Sequence, residues 1–383
     1  MLILSDKELA LKNEVRSFTE AEIRPAAAEL DRSGAFPRSL YAKLGEAGYL
    51  DASFALGRAG ARYNALEGSI IIEEISRGLA SLGLIVSPHY QCCDLIAAAG
   101  SAALRARALP DAIAGRKVLA FALSEDSGGS DALGIDTTAV RTPDGWILNG
   151  KKCWITNAGV ADGYVVAAKS PASGRSRSVS LFYVDSSAPG FSAMENDRMV
   201  GMRSSPMGSI LLDDCLIPAD CLIGPENDAY PLIKVLLNVG RIDMAAIAVG
   251  VSQAAMEAAI GFTSTIGQYG RSLSSYQAIS FAVADMYTKI TASRSSLYHT
   301  ACLLQAGRPV TTESAALKLY ATEMCCDVCK SARQVHGANG LKGGSEIERC
   351  FRDAQMLTVA EGTSEICRIV VSNALYRAKP GEY

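Results

Sequence analysis

The sequence predicts an α+β multidomain chain, with an N-terminal α-helical domain over residues 1–118, a central β-domain over 119–227 and a C-terminal four-helix bundle over 228–383. Three observations predict it. Apolar residues recur at helical spacing up to about Val118, the period then shortens to two with turn dipeptides between the runs, and long helical periods return after Pro231. A chain of 383 residues with 49% hydrophobic composition can bury a substantial core and divides into two or three domains.

The elements follow in order. Ser5 with Glu8 three residues on forms a capping box, and the helix it opens carries Leu9, Val15 and Phe18 on one side and is expected to end near Pro25. Helical periods over 39–50, 65–80 and 91–106 are separated by expected turns at Gly57 to Gly60 and at Ser87-Pro88, with another at Gly115. In the β-unit, VLAFALS, TTAVRTPDGWILNGKKCWITN, DGYVVAAKS, SVSLFYVD and SILLDDCLI read as strands, with turns at Asp144-Gly145 and Asn149-Gly150. Gly145 to Lys151 imitates a phosphate loop. Lys152, however, stands where a Ser or Thr would hold magnesium, and apolar residues flank the Asn-Gly, so a hairpin is the better reading. The bundle helices are expected over 230–265, 274–305, 311–336 and 363–378, with turns at Gly267 to Gly270, Gly307 to Pro309 and Gly337 to Gly344.

Charge and composition narrow the function. Lys and Arg total 37 against 40 acids, a formal net charge of −3, so no global field favours nucleic acid or an anionic membrane. The chain has no apolar run of membrane-spanning length, and its start, MLILSDKELALKNE, lacks the basic and apolar regions of a signal peptide, which leaves a cytoplasmic location. Eleven scattered cysteines argue for free thiols. Cys326-x-x-Cys329 has no second pair, and His89, His299 and His336 offer no matching ligands, so no metal is expected.

The stretch Arg352 to Arg368 concentrates the chemistry. Glu361 follows Met356, Leu357, Val359 and Ala360 and precedes Gly362, which places its carboxylate in a dry, sharply turned position where burial raises its pKa. Thr363 or Ser364 caps a new helix whose apolar positions are Ile366, Ile369, Val370 and Ala374. Such a carboxylate is a candidate general base. On these residues alone, complementing a helix dipole is the better reading.

This stretch, RDA followed by EGTSEI, resembles the C-terminal signature of the acyl-CoA dehydrogenase family, and the resemblance extends over essentially the whole chain. It implies that Glu361 abstracts the α-proton of an acyl thioester and that the cofactor is FAD. FALSEDSGGSD resembles the family's flavin stretch T-E-P-x-x-G-S-D. By that likeness Phe121, Leu123 and Ser124 line the isoalloxazine, Gly129 and Ser130 meet the diphosphate, and Asp126 replaces a proline. CWITNAG implies Trp154 on the flavin face and Thr156 at its reactive nitrogen. GMRSSPMGSILLDDCLIPADCLIG resembles the segment closing the β-domain, with Met207 in place of a small polar residue.

Within RQVHGANGL, Gln334, Gly337 and Ala338, together with Gly340, would bind the adenosine diphosphate part of a neighbouring subunit's FAD, and His336 would be structural. TIGQYGRSL supplies Gln268 but carries Ile266 where the family has an Arg for the pyrophosphate, with Arg271 five residues on. Thr363 and Glu365 fall on the cofactor side of the base, and Ser130, Arg241, Ala360 and Gly362 on the substrate side. Some family members carry the base before an Arg in the bundle. Here Gly240 precedes Arg241, which leaves Glu361 as the base and Arg241 as a brace. The loop ALGRAGARYN departs from the family's glycine-paired loop.

The function implied is FAD-dependent α,β-dehydrogenation of an acyl thioester, carried by coenzyme A or an acyl carrier protein, in a homo-oligomer built as a dimer of dimers. The resemblance places the enolate oxygen on the Glu361 backbone N–H and a FAD hydroxyl. An electron-transfer flavoprotein or another acceptor would take the electrons. Ala360 before the base, with His89, Tyr90, Gln91 and Asp94 opening a polar helix, favours a short or polar acyl group unless those side chains face solvent. A flavin oxidase or monooxygenase of the same fold usually lacks the EGT glutamate, which is intact here. A helical scaffold with a decayed FAD site is the reading that Ile266 and Asp126 leave open.

Overall fold

The computed structural model describes residues 4–54, 56, 58–170 and 178–377. The first helix, α1 (Asp6–Phe18), begins in the expected capping box, but the chain does not stop near Pro25. A π-helical turn over Thr19–Ile23 leads directly into α2 (Arg24–Ser33), so the helix runs on through Pro25, which has no N–H to donate. The stop comes instead at Gly34, whose φ of +68° provides a left-handed cap. After α3 (Arg38–Glu46), Asn64 and Glu67 form a second capping box for α4 (Ala65–Gly78), which is buried along its full length. Of the expected turn at Gly57 to Gly60, Gly57 lies outside the described residues.

The expected turn at Ser87-Pro88 is absent, because α5 (Ala80–Ala99) runs straight through it. Pro88 removes one helical hydrogen bond, yet every residue from Ala80 to Ile96 is buried, so packing on all sides overrides the local cost. The break falls at Gly100, before α6 (Ala102–Ile113).

The middle of the chain is strands: β1 (Leu119–Ala122), β2 (Thr138–Thr142), β3 (Gly145–Thr156), β4 (Gly163–Ala168), β5 (Ser180–Asp185), β6 (Phe191–Ala193), β7 (Met207–Pro218) and β8 (Leu222–Ile223). They form two four-stranded sheets, in the orders β1-β4-β5-β8 and β2-β3-β7-β6. Buried Trp146 packs edge-on against Phe182 at 5.0 Å, joining the two. The hairpin turn between β2 and β3 lies at Asp144, as expected, whereas Asn149-Gly150 is not a turn. β3 continues through it with a register shift between Leu148 and Gly150, and Asn149 exchanges hydrogen bonds with Asp214 on β7.

Helices then return: α7 (Tyr230–Thr265), a small hairpin of β9 (Gly267–Gln268) and β10 (Arg271–Ser272), α8 (Gln277–Gln305), α9 (Thr311–Val335), α10 (Glu346–Leu357) and α11 (Ser364–Arg377). The expected bundle helices are α7, α8, α9 and α11, the last reaching the end of the described residues. α10 is additional; Ser345 caps it, and its RDA triplet fastens the bundle to the other units. Arg352 pairs with Asp31 at 2.6 Å and donates to Val200 O, while Asp353 accepts the Met202 N–H.

Candidate active site

Glu361 sits in the turn between α10 and α11 with a φ of +56°, a left-handed conformation that costs a non-glycine residue energy. The following Gly362 also has positive φ. Thr363 Oγ1 accepts the Ile366 N–H at 3.3 Å, so Thr363 and not Ser364 caps α11. With Glu365 it serves the first turn of that helix, and the Glu361 carboxylate points elsewhere. It rests on Gly240 of α7, where any Cβ would collide with Oε2. Desolvation raises the Glu361 pKa to about 7 against the pull of Arg241, a hydrogen bond from Gln91, and Lys318. Among the described residues, no acceptor in the chain takes the Glu361 N–H, which leaves that donor available to an oxyanion.

Beneath the carboxylate, α5 presents Ser87, Gln91 and Asp94 at positions i, i+4 and i+7 of one face. All three are buried and none faces solvent. Gln91 donates to Ser87 Oγ at 3.2 Å, and Ser87 donates to Asp243 of α7 at 2.7 Å. Burial, with Glu361 close by, pushes the Asp243 carboxyl far up. Asp94 accepts the Phe54 N–H at 2.6 Å, and desolvation raises its pKa to about 6. His89 and Tyr90 belong to other faces. His89 bonds Tyr41 at 2.8 Å and is held neutral by burial, and Tyr90 donates to Tyr49 O. Sequence reasoning missed Ser87 because a turn was expected at Pro88, although the polar i, i+4, i+7 pattern in an apolar segment was available, and it missed Asp243, an acid within the apolar run of α7.

The residues assigned to the flavin ring come together at β1 and β3. The Cys153 N–H donates to Ser124 O at 2.9 Å, which sets Ser124 beside Trp154. Trp154 is 50% exposed, with φ +56°, at the register shift between Lys152 and Ile155, so it is no core residue; Trp146 holds that place. Phe121 lies on β1, Leu123 just past its end, and Thr156 at the end of β3. Fully buried Lys152 donates to Leu123 O at 3.0 Å and pairs with Glu125 at 2.7 Å, and Glu125 accepts from Thr137. Asp126 accepts from Lys151 and from Cys153, each at 2.8 Å, and so ties down the loop that lacks the proline. A Cβ on Gly129 would stand 3.0 Å from Ser124 Oγ, and Ser130 beyond it is exposed. A flat aromatic surface standing off a sheet between two hydroxyls, with a close-approach glycine loop beside it, fits FAD. Asn157 donates to Ile85 O and Leu119 O, each at 3.1 Å, which anchors this surface to α5.

Gln268, Gln334, Gly337 and Ala338 are brought together elsewhere. His336 stacks on Phe262 at 4.5 Å, fastening the end of α9 to the end of α7. All four residues are exposed there, about 24 Å along α9 from Lys318 at a helical rise of ~1.5 Å per residue. They therefore do not join Glu361 in one compact site within the chain. Arg271 lies over the Tyr276 ring at 3.9 Å, and Tyr276 donates to Gln268 O.

Family models cover this architecture from end to end: acyl-CoA dehydrogenase N-terminal domain over residues 5–116, middle domain over 120–215 and C-terminal domain over 230–376. The chain belongs to the acyl-CoA dehydrogenase family. It is 32% identical over 375 residues to a short-chain specific acyl-CoA dehydrogenase of Clostridium acetobutylicum, covering 98% of this chain and 99% of that one. A solved structure of butyryl-CoA dehydrogenase from Megasphaera elsdenii superposes with a TM-score of 0.93 at 29% identity, covering 98% and 100%. A chain of a structure described as the electron transferring flavoprotein of Acidaminococcus fermentans superposes with a TM-score of 0.95 at 33% identity, covering 99% and 100%. As an acyl-CoA dehydrogenase, the chain is a FAD-dependent oxidoreductase acting on CH–CH groups of acyl thioesters. No helix among the described residues is long and apolar enough to cross a membrane.

Proposed function

We propose that this acyl-CoA dehydrogenase takes a short or polar acyl group, with Glu361 as the base that removes the α-proton. One observation carries the reading: the Glu361 carboxylate lies on Gly240 above the buried Ser87–Gln91–Asp94 face. Gln91 Oε1, Asp94 Oδ1 and Asp243 Oδ1 have no hydrogen-bond partner among the described residues. An alkyl tail beside them would leave them unpaired, at about 1 to 3 kcal/mol each, whereas a hydroxyl or amino substituent that reaches them would pair with them.

In this reading Glu361 takes the proton at its carboxylate, and its own N–H and the buried Arg241 steady the thioester end. Ala360, Gly362 and Ser130 complete the substrate wall. FAD held by Phe121, Leu123, Ser124, Gly129, Ser130, Trp154 and Thr156, with Thr363 and Glu365 nearby, supplies the hydride acceptor. Gln268, Gln334, Gly337 and Ala338 would serve the FAD of a neighbouring subunit in a dimer of dimers. Their distance from Glu361 supports that assignment. An electron-transfer flavoprotein as acceptor is supported by the likeness to the Acidaminococcus chain. We place the enzyme in the cytoplasm and divide it at residues 118 and 227.

The test compares anaerobic flavin reduction by butyryl, octanoyl and hydroxy- or amino-substituted short acyl groups, each on coenzyme A and on a phosphopantetheinyl carrier. The substituted short groups are expected to react fastest. Octanoyl-coenzyme A clearly ahead would overturn the acyl assignment, and a short group preferred on coenzyme A would exclude the carrier protein.

A further inference from the structure

Lys318 stands in the middle of α9 with no exposed surface, between buried Ala315, Leu317, Ala321 and Thr322. Its Nζ donates to Gly362 O at 2.7 Å and to Thr358 O at 3.0 Å. Those two carbonyls bracket Glu361, one three residues before it and one immediately after. Among the described residues it forms no ion pair with a carboxylate. A buried ammonium without a counterion is a poor way to stabilise a fold, because an apolar side chain of the same length avoids the desolvation.

The turn that it holds needs an outside tie. Glu361 and Gly362 both have positive φ, and the turn's own backbone bonds run from Val359 and Ala360 to Met356 O and from Ser364 to Thr358 O. None of these fixes the Gly362 carbonyl, whose only other hydrogen-bond neighbour among the described residues is the weak Cys367 Sγ contact at 3.8 Å. Building on the reading of Glu361 as the base, we infer that Lys318 is a positioning residue that clamps the Thr358–Gly362 turn and directs the Glu361 carboxylate onto Gly240.

The charged and titratable groups around the pair are few. Arg241 and Asp243 of α7 face Glu361, Gln91 of α5 bonds it, and Cys367 and Glu365 of α11 join Arg241 and Glu361 around Lys318. Lys318 favours the carboxylate form of Glu361, so its loss has a signature that loosened packing alone lacks.

The experiment uses the FAD-loaded enzyme carrying Lys318→Met, with Lys318→Gln as a second variant that keeps a donor but no charge. The thermal midpoint and FAD content report folding. Lys318→Met is expected to lower the rate constant for flavin reduction by butyryl-coenzyme A about 10- to 100-fold, the scale of an ångström-sized misplacement. Both variants are expected to move the pH midpoint of that rate upward, and amide exchange over residues 358–364 is expected to quicken in Lys318→Met. An unmoved midpoint in a folded variant, or a lowered rate with unchanged exchange in the turn, overturns the inference. If Lys318→Met does not fold, the midpoint in Lys318→Gln decides. Glu361→Gln run alongside separates the two ideas: reduction retained there defeats the base assignment, and the exchange data still judge the clamp.

Discussion

The carboxylate of Glu361 occupies the space that a Cβ on Gly240 would fill. Helix α7 and a turn remote from it in sequence therefore meet at a point where a Cβ and the carboxylate cannot both keep their places. Gly240→Ala is expected to keep FAD and the fold but to displace the carboxylate and cut flavin reduction about 100-fold. Glu361→Gln, which removes the base and keeps the shape, is expected to abolish it. Stopped-flow flavin bleaching under anaerobic conditions measures both, and a Gly240→Ala enzyme at the wild-type rate would remove Gly240 from the site.

The pH dependence follows from the raised pKa of Glu361. The base acts as the carboxylate, so the reduction rate is expected to rise with pH through about 7 and level off above it. Stability moves the other way. Glu361 near 7, with Asp94 and Asp353 near 6, binds protons in the folded state that the unfolded chain has already released between about pH 4 and 7. These three groups therefore stabilise the fold at the acid end of that window and lose the contribution as pH rises through it. Urea unfolding of the wild type and of Asp94→Asn across pH 5 to 8 checks the sign, since the variant should lose part of the slope.

Much of this was readable in the residues, and the failures share a cause. Glu361-Gly362-Thr363 announces an acid at a turn before a capped helix, and the capping box at Ser5 and the period-two runs of the β-unit lie where expected. Pro25, Pro88 and Asn149-Gly150 carry strong local turn signals that long-range packing overrules. At Pro88 the surrounding apolar neighbours come from other elements, which no window of sequence contains. Lys318 reads as an ordinary surface lysine for the same reason: its acceptors lie 40 and 44 residues away.

Ile266 is 41% exposed at the C-terminal end of α7, beside the hairpin that carries Gln268. Ile266→Arg is expected to tighten FAD by roughly 1.5 to 3 kcal/mol if a pyrophosphate lies there. Equilibrium titration of the FAD-depleted variant measures it. Unchanged affinity would point to Arg271, already held over Tyr276, as the cation in place.

Phe281 and Tyr287 on α8 are each 61% exposed, and on α11 Ile369, from the expected apolar stripe, and Leu375 are about half exposed. The proposed dimer of dimers would cover these side chains. Sedimentation is expected to give a tetramer with FAD bound, and Phe281→Asp with Tyr287→Asp is expected to reduce it to smaller species. A wild-type monomer with stoichiometric FAD would rule the assembly out.

Helix α5 has a further consequence. It packs on α4 and α7, on β1 and β3 and on β8, and the Asn157 amide bonds its backbone at Ile85. The three segments marked by the family models thus share one central rod and are expected to melt together. Heating should give one calorimetric transition, and a protein cut between α6 and β1 should leave fragments that hold their shape only while they remain associated.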